Sequence, residues 1–302
     1  GGGGGGGDGG DGNGADATSA PPARAAATAA NVHYVLSDAV KTCYDEACDR
    51  VFGPHRPVRC ARLPSFGGWY RPDCYPELTD AKLDAASRLM VMVAMEHPEL
   101  TLIPQLPDLL LLLLHTLDDA EAYVVLAHMV GVSATGRLDD DITLALGGSG
   151  SSGGAADQRR LRHLYIITSP NAARTASLAF AELVRRSLPD LHAHMHRLRV
   201  AASDFADAWL SRLFVSSLPL SVVKRVFEWF LSEGASALHA TALAILQLHC
   251  DYLLTLGNGD DFLNRLRDLT RALDDGERLL RTAFAFRVTA SLLLQLQDRE
   301  ER

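Results

Sequence analysis

Trp209-Leu-Ser-Arg-Leu-Phe214, then Leu218-Pro-Leu220, then Arg225-Val-Phe-Glu-Trp-Phe-Leu-Ser-Glu-Gly234 is the stretch that decides the fold. Its aromatic residues, Trp209, Phe214, Phe227, Trp229 and Phe230, fall at helical spacing, so they read as helix packing residues; a partner-binding surface is the alternative. Ala242-Leu-Ala-Ile-Leu246 continues as an apolar helix.

The helical period extends outward in both directions. Ala85 to Glu96 carries Leu89, Met90, Val93 and Ala94 on one face and stops before Pro98, and Asp119 to Val130 aligns Ala122, Tyr123, Leu126 and Met129. Ala176 to Arg186 repeats the pattern, and Leu279 to Leu296 reads as one terminal helix with Phe284, Val288, Leu292 and Leu296 in register. Leu109 to Leu114 is the most apolar run. Even extended from Leu100 to Leu117 it contains Pro104, Pro107, Asp108 and His115, so it predicts a buried core helix and no transmembrane segment. No convincing strand alternation appears, and an all-α fold is expected.

Two low-complexity stretches punctuate this pattern. Residues 1–30 are rich in Gly, Ala and Asp and too poor in large apolar side chains to offset the entropy of ordering, which predicts a disordered tail. Gly147 to Gly154 has the composition of a flexible loop, and residues 147–157 read as an insertion within a single helical domain spanning 31–302.

With 302 residues and 47% hydrophobic side chains, the chain can bury a large core. A net charge of -8 provides no overall basic field for nucleic acid, and no nucleic-acid partner is expected. Cys43, Cys48, Cys60, Cys74 and Cys250 are odd in number and irregularly spaced, and no secretory leader is visible; reduced thiols and a cytoplasmic location follow as expectations. A glycine at position 1 suggests a fragment.

Cys43, Cys48, His55 and Cys60 contain no C-x-x-C and are read as idle or buried, so no metal or other cofactor is expected. His192 and His196 share a helix face at a spacing used for metals, but lack a local acidic or cysteine partner. A solvent-facing helix is the default there, with a metal-linked scaffold as the alternative. Arg185, Arg186, Arg197 and Arg199 form a small basic cluster, read as a solvated face or as a contact for an acidic partner or lipid.

The Trp209–Gly234 stretch resembles the end of a TBC domain, the helical fold of the Rab GTPase-activating proteins: W-L-x-x-L-F, an L-P link, R-x-F/W-D-x-F/L-L-x-E-G, then A-L-A-I-L. Glu228 stands where that pattern usually has aspartate. Arg62-Leu-Pro-Ser-Phe66, Pro72-Asp-Cys74, His97-Pro-Glu99, Ile103-Pro-Gln-Leu-Pro107, the leucines to His115 and Leu279 to Arg287 are similar, in the same order, to the Skywalker-type branch, whose TBC domain is followed by a TLDc domain.

The resemblance implies a Rab-family or Arf-family small GTPase as partner, a role in vesicle or membrane trafficking, and peripheral association with vesicle or endosomal membranes. It also implies two fingers, an Arg from I-x-x-D-x-x-R-T and a Gln from Y-x-Q-G-M, which place a cation on the transferring phosphoryl group and orient the attacking water. Here Pro104 occupies the glutamine position, and Gln105 is a shifted candidate one place later. No Asp-x-x-Arg falls between residues 50 and 85; the nearest arginines are Arg62, Arg71 and Arg88. Pro104, Asp108, Arg185 and Arg186 are the candidate GTPase contacts.

A GTPase-binding adaptor or catalytically impaired activator is therefore expected, with an active Rab activator as the alternative. The branch's cationic lipid groove draws Lys and Arg from an early helix and from the helix after E-G. This chain has Ser236 and Ala240 at the second location, and the early helix reads as replaced by the glycine tail, so lipid binding by that route is not expected.

Overall fold

The computed structural model describes residue 1, residues 22–130, 166, 167 and 169–300, leaving aside the side chains of 22–36, 298 and 300. The described residues form thirteen α-helices and one short 3-10 turn, with no strand among them. The expected Gly/Ser insertion at 147–157 and residues 2–21 of the expected tail lie outside the described residues.

Contacts divide the chain into Gly1–Val40 and Lys41–Arg302. Helix α1 runs from Pro22 to Phe52 and so begins in the first unit and ends in the second. This corrects one expectation, since an early helix is present. Its first turns are rich in alanine, the strongest helix former, repeated from Ala23 to Ala30 behind a proline that suits a first helical turn.

In the second unit, α2 (Asp80–Glu96), α3 (Leu106–Thr116) and α4 (Asp119–Val130) pack on one another. The Thr79 hydroxyl caps α2 by accepting from Lys82 N. At α4, Glu121 N donates to Asp118 Oδ1 while Asp118 N donates to Glu121 Oε2, a reciprocal capping box visible in Asp118-Asp119-Ala-Glu121. Every residue from Leu106 to Leu114 is buried, as the leucine run predicted.

The remaining helices are α5 (Pro170–Ser187), α6 (Pro189–Leu198), α7 (Ser203–Ser211), α8 (Leu220–Glu233), α9 (Ala235–Leu248), α10 (Cys250–Leu253), α11 (Gly259–Arg271), α12 (Gly276–Ala285) and α13 (Ala290–Glu300). Helix α9 is the hub, packing on α5, α7, α8, α12 and α13. Its residues Ser236 to Leu246 are buried without interruption, so the Ala-Leu-Ala-Ile-Leu segment is core on all sides.

Of the aromatics in the deciding stretch, Trp209, Phe214, Phe227 and Phe230 are buried, while Trp229 is half-buried against Phe284 with ring centroids 4.4 Å apart.

The expected single helix from Leu279 to Leu296 is broken into α12 and α13, which meet at a 66° bend. Arg287 takes a left-handed φ of 48°, and the Thr289 hydroxyl restarts the chain as a cap, accepting from Leu292 N. Among the described residues no single helix is long and apolar enough to cross a membrane; α12 with Ala290–Gln297 passes that test only as this bent pair. Leu279, Ala283, Leu293 and Leu296 of the pair are buried within the protein.

Candidate functional site

The first turn of α3 brings together the chemistry-bearing residues of this fold. Gln105 precedes the helix and is 2% exposed. Its Nε2 donates to the Leu210 carbonyl at 2.8 Å, and its Oε1 accepts from Ile167 N at 2.8 Å. Both ends of the carboxamide are thereby used inside the fold, between the start of α3, the end of α7 and Ile167. An amide held this way does not reach a water on a bound partner unless both bonds are broken.

Asp108 lies one turn further along and is 1% exposed. Arg212 grips it with Nε donating to Oδ2 at 2.9 Å and Nη2 to Oδ1 at 3.3 Å, while the buried Tyr75 hydroxyl donates to Oδ1 at 3.0 Å. Burial pushes the Asp108 carboxyl above its ordinary range, outweighing the opposite pull of Arg212 and Tyr75. The Tyr75 hydroxyl is raised too, by burial first and then by Asp108. Asp108 is thus an interior ion-pair residue in this structure and offers a partner no free oxygen.

The segment that carries Arg212 is backbone-strained. Leu213, Phe214 and Ser216 have φ values of 50°, 62° and 69°, in the left-handed region that costs non-glycine residues about 1–3 kcal/mol each. Burial of Leu213 and Phe214 and the Asp108–Arg212 pair hold this turn in place.

Pro104 is half-buried and fixed against a second tight turn. A Cβ built on Gly68 would stand 2.4 Å from the Pro104 carbonyl oxygen and 3.0 Å from Pro107 Cδ, so the two backbones meet where only glycine fits. Gly68→Ala is expected to lower the unfolding free energy by about 1–3 kcal/mol, read by urea denaturation, because a backbone oxygen cannot rotate aside as a side chain can. An unchanged denaturation midpoint would contradict this contact.

The other expected contacts lie apart from this junction. Arg185 and Arg186, in the last turn of α5, share one carboxylate, Glu182, at 2.6 and 2.7 Å, and that acid is pulled down to about 2 by the two guanidiniums. The pair therefore presents less charge than two free arginines. On α6, His194 is buried with Nδ1 against Arg197 Nη2 at 3.1 Å, whereas His192 is half-buried and His196 exposed. No three His, Cys, Asp or Glu side chains among the described residues are grouped to hold a metal ion. Cys43 and Cys48 are buried, and all five cysteines are unpaired.

Ser236 and Ala240 are both 1% exposed, with the Ser236 hydroxyl donating to the Glu233 carbonyl. Between them, His239 is fully enclosed, its two ring nitrogens facing the Ala235 and Ala176 carbonyls at 2.8 and 3.4 Å, and burial lowers its pKa. No exposed cation stands at these positions. On α1, Arg50 is spent on Glu96 at 2.6 Å, and Lys41 is exposed.

Residues 156–254, which hold α5 to α10 and the junction partners Leu210 and Arg212, match the family model of the Rab-GTPase-TBC domain. This third of the chain is similar to the TBC domain family. TBC relatives include human TBC1 domain family member 2A, 28% identical over 45% of this chain and 15% of its own length. Ecotropic viral integration site 5 protein of Mus musculus is 25% identical over 46% of this chain and 17% of its own. The Rab GTPase-activating protein eat-17 of Caenorhabditis elegans is 32% identical over 29% of this chain and 10% of its own. The chain thus spans a small part of these proteins.

The fold is also matched over most of the chain. The TBC domain of Skywalker/TBC1D24 from Drosophila melanogaster superposes with a TM-score of 0.62 at 18% identity, over 85% of this chain and 78% of that one. The Chlamydomonas flagellar RabGAP TBC domain gives 0.51 at 20% identity, over 85% and 73%.

Arg212 and Tyr75 were not singled out from sequence, although a signal existed. One acid inside an otherwise apolar run must find a counter-charge or a donor when the run is buried, and Asp108 in Leu106–Leu114 is such an acid. The partner's position, 104 residues away, was not visible.

Proposed function

We propose that this TBC domain binds a Rab-type or Arf-type small GTPase in vesicle and membrane trafficking, as an adaptor or impaired activator without a complete pair of catalytic fingers. The observation that carries this reading is at the start of α3. Pro104 stands in the place of the family's glutamine, and the neighbouring Gln105 amide is committed to Leu210 and Ile167. The absence of Asp-x-x-Arg from residues 50–85 points the same way. Arg71 pairs with Asp73 at 2.7 Å and Arg88 with Asp119 at 2.7 Å, so these two arginines are engaged within the chain.

Peripheral association with vesicle or endosomal membranes, from the cytoplasm, would then follow the GTPase and not a cationic groove at Ser236 and Ala240. Single-turnover hydrolysis by GTP-loaded Rab and Arf proteins tests the reading. Binding with the hydrolysis rate raised less than about tenfold is expected, against the about 10³–10⁵ that an arginine finger contributes. The names of relatives such as the eat-17 activator favour a second reading, an active Rab activator. Acceleration in the finger range would establish it. Absence of binding to any GTP-loaded member would reject both.

A further inference from the structure

Trp69 is 73% exposed, the largest side chain that the described surface leaves so open to water. A lone exposed apolar residue is ordinary on a mobile loop, but this one is mounted on a rigid turn. Phe66 and Gly67 have φ values of 48° and 73°, two successive left-handed residues, and Gly68 N donates to the Ser65 carbonyl at 2.8 Å to close the turn.

Phe66 is buried despite its left-handed backbone, and its carbonyl accepts from Ile103 N at 2.7 Å. A Cβ on Gly67 would meet Leu102 Cδ1 at 2.4 Å, and one on Gly68 would meet the Pro104 oxygen at the same distance. On the far side, the Tyr70 hydroxyl donates to the Leu83 carbonyl of α2 at 3.4 Å. Both neighbours of Trp69 are therefore anchored, one to the 102–104 segment and one to α2, while the indole projects outward.

Strain of this kind persists where surrounding structure over-determines it, and it concentrates at binding sites. Here it fixes an aromatic side chain one residue from the backbone contact with Pro104. We infer that Trp69 is an anchor residue for the nucleotide-bound small GTPase, contacting it beside Pro104 and supplying affinity on the face where the fingers are not in their usual form. This inference rests on the GTPase-binding reading above.

Tryptophan suits the role because it buries a large area at the cost of two torsions, and a backbone ordered beforehand reduces what binding must restrain. The chemistry it seeks is a shallow apolar surface with a polar rim on the GTPase, where the indole N–H also finds an acceptor.

The test measures equilibrium binding of GTP-analogue-loaded Rab and Arf proteins to the full chain, to Trp69→Ala and to Tyr252→Ala. Tyr252 is also exposed but lies on α10. Trp69→Ala is expected to weaken binding about 30-fold, corresponding to a hot-spot loss, with an unchanged thermal unfolding midpoint, while Tyr252→Ala binds as the parent does. Trp69→Phe should recover part of the loss. If the parent binds a GTPase and Trp69→Ala binds it equally well, the anchor is overturned while the GTPase-binding reading stands. If the parent binds none, that reading falls and the anchor with it. Sedimentation shows the remaining occupant: a parent dimer that Trp69→Ala converts to monomer, with GTPase affinity untouched, would assign the residue to self-association and overturn the inference.

Discussion

Replacing Arg212 with alanine is expected to lower the unfolding free energy by about 3–5 kcal/mol, the range for removing one member of a buried ion pair. The cost comes from what is left behind. Asp108 would remain almost fully enclosed with the Tyr75 hydroxyl as its side-chain donor and Arg71 only as a more distant charge, and the left-handed turn from Leu213 to Ser216 would lose the bond that ties it to α3. Arg212→Met, with Asp108→Leu in the same chain, removes both charges and should recover much of the loss, because an apolar pair avoids desolvating either ion.

The pH dependence has a defined sign. Burial already raises the folded-state Asp108 pKa above its ordinary value of 3.8, so between that value and the raised one the folded protein binds more protons than the unfolded chain. Stability carried by this group therefore falls as pH rises through that window. Without Arg212 the upward shift grows, and the deficit of Arg212→Ala relative to the parent should shrink on acidification. Urea denaturation at neutral pH and again near pH 5 reads both effects. A deficit that stays constant, or widens in acid, would show that Asp108 is not the group left stranded.

The same junction explains which parts of the fold were legible in the sequence. Helices α2 to α9 follow from apolar periodicity and from local caps such as Asp118 and Glu121, whose signals lie within one turn of the residues they order. The break between α12 and α13 was missed because Phe284, Val288 and Leu292 keep the helical repeat across it; the determinant is the left-handed Arg287 with the Thr289 cap, a backbone event that side-chain periodicity does not register. The start of α1 shows the opposite case. Its alanines give weak hydrophobic contrast yet strong intrinsic helix preference.

Site residues divide along the same line. The Leu102-Ile-Pro-Gln-Leu106 stretch, with Pro104 ahead of Gln105, is a local fact, readable from five consecutive residues. That the Gln105 amide spans from Leu210 to Ile167, and that Asp108 is matched by Arg212, are facts of tertiary packing across more than 60 residues. Residue type gave a warning in both cases, since a buried carboxylate and a buried carboxamide each require partners. Neither residue type names the partner.

Gln105→Ala should lower the unfolding free energy by about 2–4 kcal/mol, because it deletes both bonds of one carboxamide and leaves the Leu210 carbonyl and the Ile167 N–H without that partner. Leu210 is buried, so its carbonyl bears most of the penalty; Ile167 is half-exposed, and water can replace part of its bond. Gln105→Glu separates the two ends. The glutamate keeps an acceptor for Ile167 N but, when ionised, sets charge against the Leu210 oxygen, so its deficit should narrow as pH falls and its carboxyl gains a donor proton. Both variants are measured by urea denaturation, and a Gln105→Ala protein as stable as the parent would remove the clasp role. The comparison also decides the catalytic question. Arg212→Ala weakens the same junction without touching the carboxamide, so it serves as a control of similar stability loss. If both alanine variants reduce GTPase binding or hydrolysis together, at a temperature where each is folded, Gln105 acts through the junction. If only Gln105→Ala removes an acceleration that the parent provides, the amide leaves its internal partners on binding and works as a displaced finger.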